Sequence, residues 1–146
     1  MNTTPYVPPG GPPTGPKPDH RIFAALGEAG VFSMIEDFYR RLAGSEIRHL
    51  FPQTEAALIE ASKRNASFFV QILGGPSLYS ERFGPPQMRK RHLAFDITEA
   101  AKEVWLACFF EILDEAPAKY NFPTDHLESF KSWLRNFAAW MVNRAP

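Results

Sequence analysis

The triplet Gly74-Gly75-Pro76 constrains this chain more than any other feature, because it ends one long helical pattern abruptly and opens a stretch of a different kind. Upstream, Leu58, Ala61, Asn65, Phe68, Phe69 and Ile72 recur at helical spacing. Thr54 suits the N-cap of that helix, and Glu55 lies near its positive end. Two members of the row stand out. Ala61 leaves space, and Asn65 places an amide one turn further along an apolar face. A buried amide is costly unless paired, so Asn65 is either a structural bridge or a ligand contact.

The same three- and four-residue periodicity governs the rest of the chain. A short helix is expected from Asp19 to Ala29, with Gly30 breaking it before a second row of Val31, Ile35, Phe38 and Leu42. Phe32, Ile35 and Tyr39 widen that row and turn Tyr39 inward. Its hydroxyl then needs a partner, either a backbone carbonyl or a ligand. Gly44 stops the helix, and Ser45 caps a short turn through Leu50 that ends at Phe51-Pro52. Beyond Phe95 and Ile97, Thr98 caps a helix to about Glu115 with Ala101, Val104, Trp105, Cys108 and Ile112 on its core face. Pro117 and Pro123 bracket a connection. A last helix over 124–143 carries Leu127, Phe130, Leu134, Phe137 and Met141, widened by Trp133 and Trp140. There is no internal repeat and no strand-like alternation, so the fold class is all-α.

At 146 residues, 45% hydrophobic and with thirteen Phe, the chain is long enough for one domain with a bulky aromatic core. That domain is expected over 19–146. Residues 1–18 hold half of the fourteen prolines and almost no charge, so they are expected to form a disordered extension; a proline-rich docking arm is the alternative. Sixteen basic residues balance sixteen acidic ones, and no global field recruits nucleic acid or acidic membranes. The longest apolar run, Val104 to Phe110, is far too short to span a bilayer, and no export signal is evident. A single cysteine, Cys108, excludes an internal disulfide and fits a cytoplasmic location; a buried free thiol commonly serves as a small hydrophobe.

Downstream of the triplet, about ten loop-like residues lead to Pro85 and Pro86, which suit the first turn of a short helix of about two turns. On it Met88, Arg91 and His92 share a side, with Met88 one turn before His92. An imidazole beside apolar groups, flanked by Arg89, Lys90 and Arg91, suits a site that presents one neutral nitrogen to a metal within a cationic rim for an acidic cofactor. No Cys/His cluster with zinc spacing, Gly-rich phosphate loop or nucleophile elbow accompanies it.

The series Gly74-Gly75-Pro76-x-x-Tyr79-Ser80, Gly84-x-Pro86, Met88-Arg89-x-Arg91-His92-x-x-Phe95-x-Ile97 and Trp105-Leu106-x-Cys108 resembles the signature of the group II truncated haemoglobins. The resemblance runs without a gap from Gly74 to Cys108, and the helical pattern extends it to about Ile22. It implies a two-over-two helical sandwich around haem b, with His92 as the proximal iron ligand on a very short helix. A lone strong ligand suits haem, because the porphyrin provides four further nitrogens. The resemblance also makes Trp105 the distal tryptophan, Tyr39 the distal tyrosine and Phe51 the aromatic wedged against the haem face. Ala61 falls at the distal gate and Asn65 one turn deeper. Arg64 and Arg91 become propionate candidates, and Phe68, Met88 and Phe95 belong to the expected haem contacts. Departures are the lack of a distal histidine, Pro85 where the family often has His, Asn65 where an apolar residue or Gln is more usual, and a turn after Ala43 about one residue shorter.

The implied ligands are dioxygen, nitric oxide, carbon monoxide or peroxide. Donors aimed at a bound, partly charged ligand slow its loss, and Tyr39, Trp105 and Asn65 provide three. Tight retention favours nitric oxide oxidation or peroxide reduction, fed by an unidentified reductase, over oxygen delivery. The alternative is a gas sensor or oxygen carrier acting through a protein partner. A monomer or weak dimer is expected.

Overall fold

The computed structural model describes residues 5–146; the first four residues of the Pro/Gly-rich segment lie outside the described residues. Among the described residues six α-helices follow in order: α1 (His20–Ala43), α2 (Glu55–Ile72), α3 (Leu78–Phe83), α4 (Met88–His92), α5 (Glu99–Tyr120) and α6 (Leu127–Met141). Short 3-10 turns over Arg48–Leu50 and Thr124–His126 precede α2 and α6, and no strand occurs among the described residues.

The three longest helices, α1, α2 and α5, each start at a side-chain oxygen. Thr54 accepts from the Ala57 amide and Thr98 from the Ala101 amide, as expected for N-caps. Asp19 does the same for α1, accepting from the Arg21 amide at 2.8 Å. Three expectations need correction. The kink in α1 is at Gly27 (φ 70°, ψ 173°), a conformation glycine adopts readily, while Gly30 stays helical and packs closely on Leu26. The residues read as loop after Pro76 contain α3, held by the Gln71 side chain bonding both the amide and the hydroxyl of Ser80. Pro117 lies inside α5, which runs on to Tyr120. Its lost amide bond is tolerated there because the last turn is tied elsewhere: Tyr120 hydroxyl donates to Asp37, and the left-handed Asn121 returns its amide to the Ala116 carbonyl.

The core is aromatic. Helix α1 packs against α2 and α5, and α5 against α6. Phe38, Phe69, Phe109 and Phe130 are fully buried at these junctions. Each contributes roughly 2–3 kcal/mol by leaving water. Phe109 links the set, with ring centroids 4.3 Å from Phe38, 5.5 Å from Phe69 and 5.8 Å from Phe130. This packing leaves one end of the bundle unfilled, between Tyr39 of α1, Trp105 of α5 and the short α4.

Candidate functional site

Helix α4 begins later than its prolines predict. Pro85 and Pro86 precede it, Gln87 takes a left-handed conformation (φ 41°), and only Met88–His92 are helical. His92 closes this single turn and is half-buried. Its Nδ1 lies 2.6 Å from the Met88 carbonyl oxygen, which can only accept, so Nδ1 carries the proton and Nε2 is left as a lone-pair donor. Burial lowers the His92 pKa, against the opposing pull of that carbonyl, so the ring is neutral. Both conditions for a metal-ligating imidazole are therefore met.

His92 lines a cavity of about 560 Å³. That size and its mostly apolar wall suit a small-molecule or cofactor site. The cavity brings together Tyr39, Phe51, Ala61, Arg64, Asn65, Met88, Arg91, Phe95 and Trp105. Phe68 is not on its surface. It is buried behind the wall, 5.6 Å from Phe137 and 6.0 Å from Tyr79 between ring centroids.

Three polar groups reach this wall. Tyr39 is held edge-on to Phe51 at 5.5 Å and to Phe38 at 6.0 Å. Burial raises its pKa far above the ordinary tyrosine range, with Arg64 pulling the other way, so the hydroxyl remains a donor. Trp105 stands edge-on to Phe38 at 5.3 Å. Among the described residues the Tyr39 hydroxyl, the Trp105 indole N–H and the Asn65 amide have no protein hydrogen-bond partner, yet no buried polar side-chain atom is left orphaned. The three groups face open space in the cavity. The two readings of Asn65 thus narrow: no structural bridge forms.

The cations divide differently from expectation. Arg91 is occupied by the loop before α4: its Nε donates to the Pro86 carbonyl and its Nη2 to those of Phe83 and Pro85. Arg64 makes no ion pair among the described residues and lies 5.2 Å over the Phe83 ring, which leaves it the freer partner for an acidic group at the rim. Lys102, unnoticed in the sequence, also reaches the cavity but is held by Glu99 and Glu103. Ile47, Leu50, Tyr79, Phe83, Ile97, Phe137 and Met141 complete much of the wall. They come from four separate segments, and no single local pattern marks them as one wall. Cys108 is buried, which raises its thiol pKa and keeps it a packing group.

Haem fits this donor set. One neutral imidazole with a free Nε2 faces a largely apolar cavity, and no group of three His, Cys, Asp or Glu side chains able to hold a bare metal ion occurs among the described residues. No helix there is long and apolar enough to cross a membrane.

Comparison with known proteins agrees. A family model described as bacterial-like globin matches residues 21–143. The group 2 truncated haemoglobin YjbI of Bacillus subtilis is 36% identical over 93 residues, covering 63% of this chain and 68% of that protein. Among solved structures, phosphate-bound Hell's gate globin IV superposes with a TM-score of 0.83 at 36% identity, over 90% of this chain and 80% of its own. The truncated oxygen-avid haemoglobin from Bacillus subtilis gives 0.73 at 32% identity, over 83% and 98%. With an all-helical fold, a half-buried imidazole lining an apolar cavity and this extent of similarity, the chain belongs to the bacterial-like globins as a truncated haemoglobin, a family that binds diatomic ligands at haem.

Proposed function

We propose that this chain holds haem b through His92 and retains a diatomic ligand with Tyr39, Trp105 and Asn65 for redox chemistry rather than oxygen delivery. The observation that carries this reading is the set of three donors lining one cavity with no protein partner among the described residues. When bound, haem supplies a redox-active iron at which a diatomic ligand coordinates. The protein's side chains do the rest. The Tyr39 hydroxyl and the Trp105 indole donate to a ligand that has gained negative charge, and the Asn65 amide is placed to add a third bond. Two such bonds at roughly 1.5–3 kcal/mol each slow ligand loss by about two to four orders of magnitude. Arg64 is the candidate partner for a propionate, and Ala61 leaves the entry path open.

Slow release suits consumption of the ligand. Combining nitric oxide with dioxygen to give nitrate takes one electron per turnover, which a separate, unidentified reductase must provide; peroxide reduction is the other candidate. Similarity to a haemoglobin described as oxygen-avid supports retention. We place the protein in the cytoplasm as a monomer or weak dimer. Mixing the reduced, haem-loaded protein with dioxygen and then nitric oxide tests the activity. Stoichiometric nitrate is expected, and nitric oxide that persists or ends as nitrite contradicts the reading.

A further inference from the structure

A helix of five residues cannot hold a metal ligand in place by itself, since a single turn is far below the length at which helices are stable alone. Helix α4 has no side-chain N-cap; its backbone is closed by the Arg91 amide on the Gln87 carbonyl and the Leu93 amide on the Lys90 carbonyl, and the Arg91 side chain ties it to the preceding loop. Its remaining support comes from the far end of the chain. Asn143 is 1% exposed and saturated with hydrogen bonds. Its Nδ2 donates to the carbonyls of His92 (3.2 Å) and Phe95 (2.9 Å), and its Oδ1 accepts from the Ile97 amide at 3.0 Å. Its own backbone amide donates to the Ile97 carbonyl, also at 3.0 Å.

At the other end of the turn Arg89 acts as a second anchor. Its Nη1 donates to the carbonyls of Trp140 and Val142, and its Nη2 donates to that of Tyr6 at 2.6 Å. Its guanidinium also lies 4.5 Å over the Trp140 ring. The Tyr6 amide closes the loop by donating to the Asn143 carbonyl at 3.1 Å. The backbone on both sides of His92 is therefore tied to the C-terminal end of α6.

We propose that Asn143 and Arg89 are positioning residues for His92: together they set how far α4, and with it the Nε2 of His92, projects into the cavity. Neither side chain hydrogen-bonds the imidazole. The inner hydrogen bond to Met88 orients the ring within α4. The clasp sets where α4 itself sits. Outer partners of metal ligands often act in this way, by limiting the ligand's freedom rather than by contacting the metal.

This inference rests on the haem reading above, and its test separates the two. The full-length haem-loaded protein, Asn143→Ala, Arg89→Lys and the control Arg144→Ala are compared by the iron–histidine stretching band in resonance Raman of the reduced form, and by the rate of hemin loss to an excess of apomyoglobin. Arg144 belongs to the same segment, but among the described residues its side chain pairs only with the exposed Asp96. The proposal predicts a shifted or broadened band and about tenfold faster hemin loss in Asn143→Ala and Arg89→Lys, the lower end of the usual cost of removing an outer partner. Arg144→Ala is expected to match the parent. A band unmoved in both clasp variants, or hemin loss equal to that of Arg144→Ala, overturns the proposal. Loss of helical far-ultraviolet signal in both variants also overturns it, because the clasp then holds the whole fold rather than the ligand. A parent protein that takes up no haem defeats the underlying reading and this inference with it.

Discussion

The Nδ1 of His92 and the carbonyl oxygen of Met88 lie 2.6 Å apart, one turn apart on the shortest α-helix among the described residues. Since the carbonyl fixes which ring nitrogen is protonated, the free nitrogen is always the one available to the cavity. His92→Gly is therefore expected to keep the helical far-ultraviolet spectrum while losing stable haem binding. Added imidazole is expected to restore a haem absorbance spectrum. Retention of haem by His92→Gly without imidazole contradicts the assignment of the ligand.

Acid sensitivity is expected where α1 meets α5. Asp37 accepts from the Tyr120 hydroxyl and pairs with Lys119 at 3.0 Å. Partial burial raises the Asp37 pKa, but these bonds outweigh it and the net shift is downward. A carboxylate with a depressed pKa in the folded state stabilises the fold above its unfolded value, near 3.9, and loses that contribution as pH falls through the lower folded value. Asp37→Asn is thus expected to cost about 1 kcal/mol at neutral pH, discounted for partial exposure, and much less in strong acid. Urea unfolding of both proteins at pH 7 and below pH 3 checks this.

The triplet that divides the sequence also divides the structure. Gly74 has φ +102°, and a Cβ there meets the Cβ of His20 at 2.7 Å and its Cα at 3.0 Å. Backbone cannot give way as a flexible side chain does. Gly74→Ala is expected to destabilise the fold by about 2–3 kcal/mol through strain and overpacking. A parent-like urea midpoint would show that the start of α1 can move aside.

Much of this was legible in the chain because it is local. Thr54 and Thr98 announce their caps by residue type, and the rows on α2 and α6 announce their buried faces by spacing. His92 is legible through the motif around it. What was not legible depends on distant partners. Residue type does not distinguish Gly27 from Gly30 as the kink; the structure puts the left-handed conformation at Gly27, while Gly30 packs closely on Leu26. Pro117 reads as a helix breaker, and only Asp37 and Ala116 explain why the last turn survives. Arg91 reads as a free cation because a sequence does not show three carbonyls turned toward it. Phe68 shares the helical row of Ala61 and Asn65, but the row is wider than the cavity, and Phe68 falls on its core side.

The central claim is that Tyr39, Trp105 and Asn65 retain a bound diatomic ligand, and the dissociation rate of dioxygen from the reduced, haem-loaded protein tests it most directly. Stopped-flow displacement by carbon monoxide, followed in the haem absorbance, is expected to show slow release in the parent. Tyr39→Phe and Trp105→Phe are each expected to speed it by about tenfold or more, the cost of one hydrogen bond to a partly charged acceptor. Fast release from the parent, or a rate unchanged in both variants, would contradict the account.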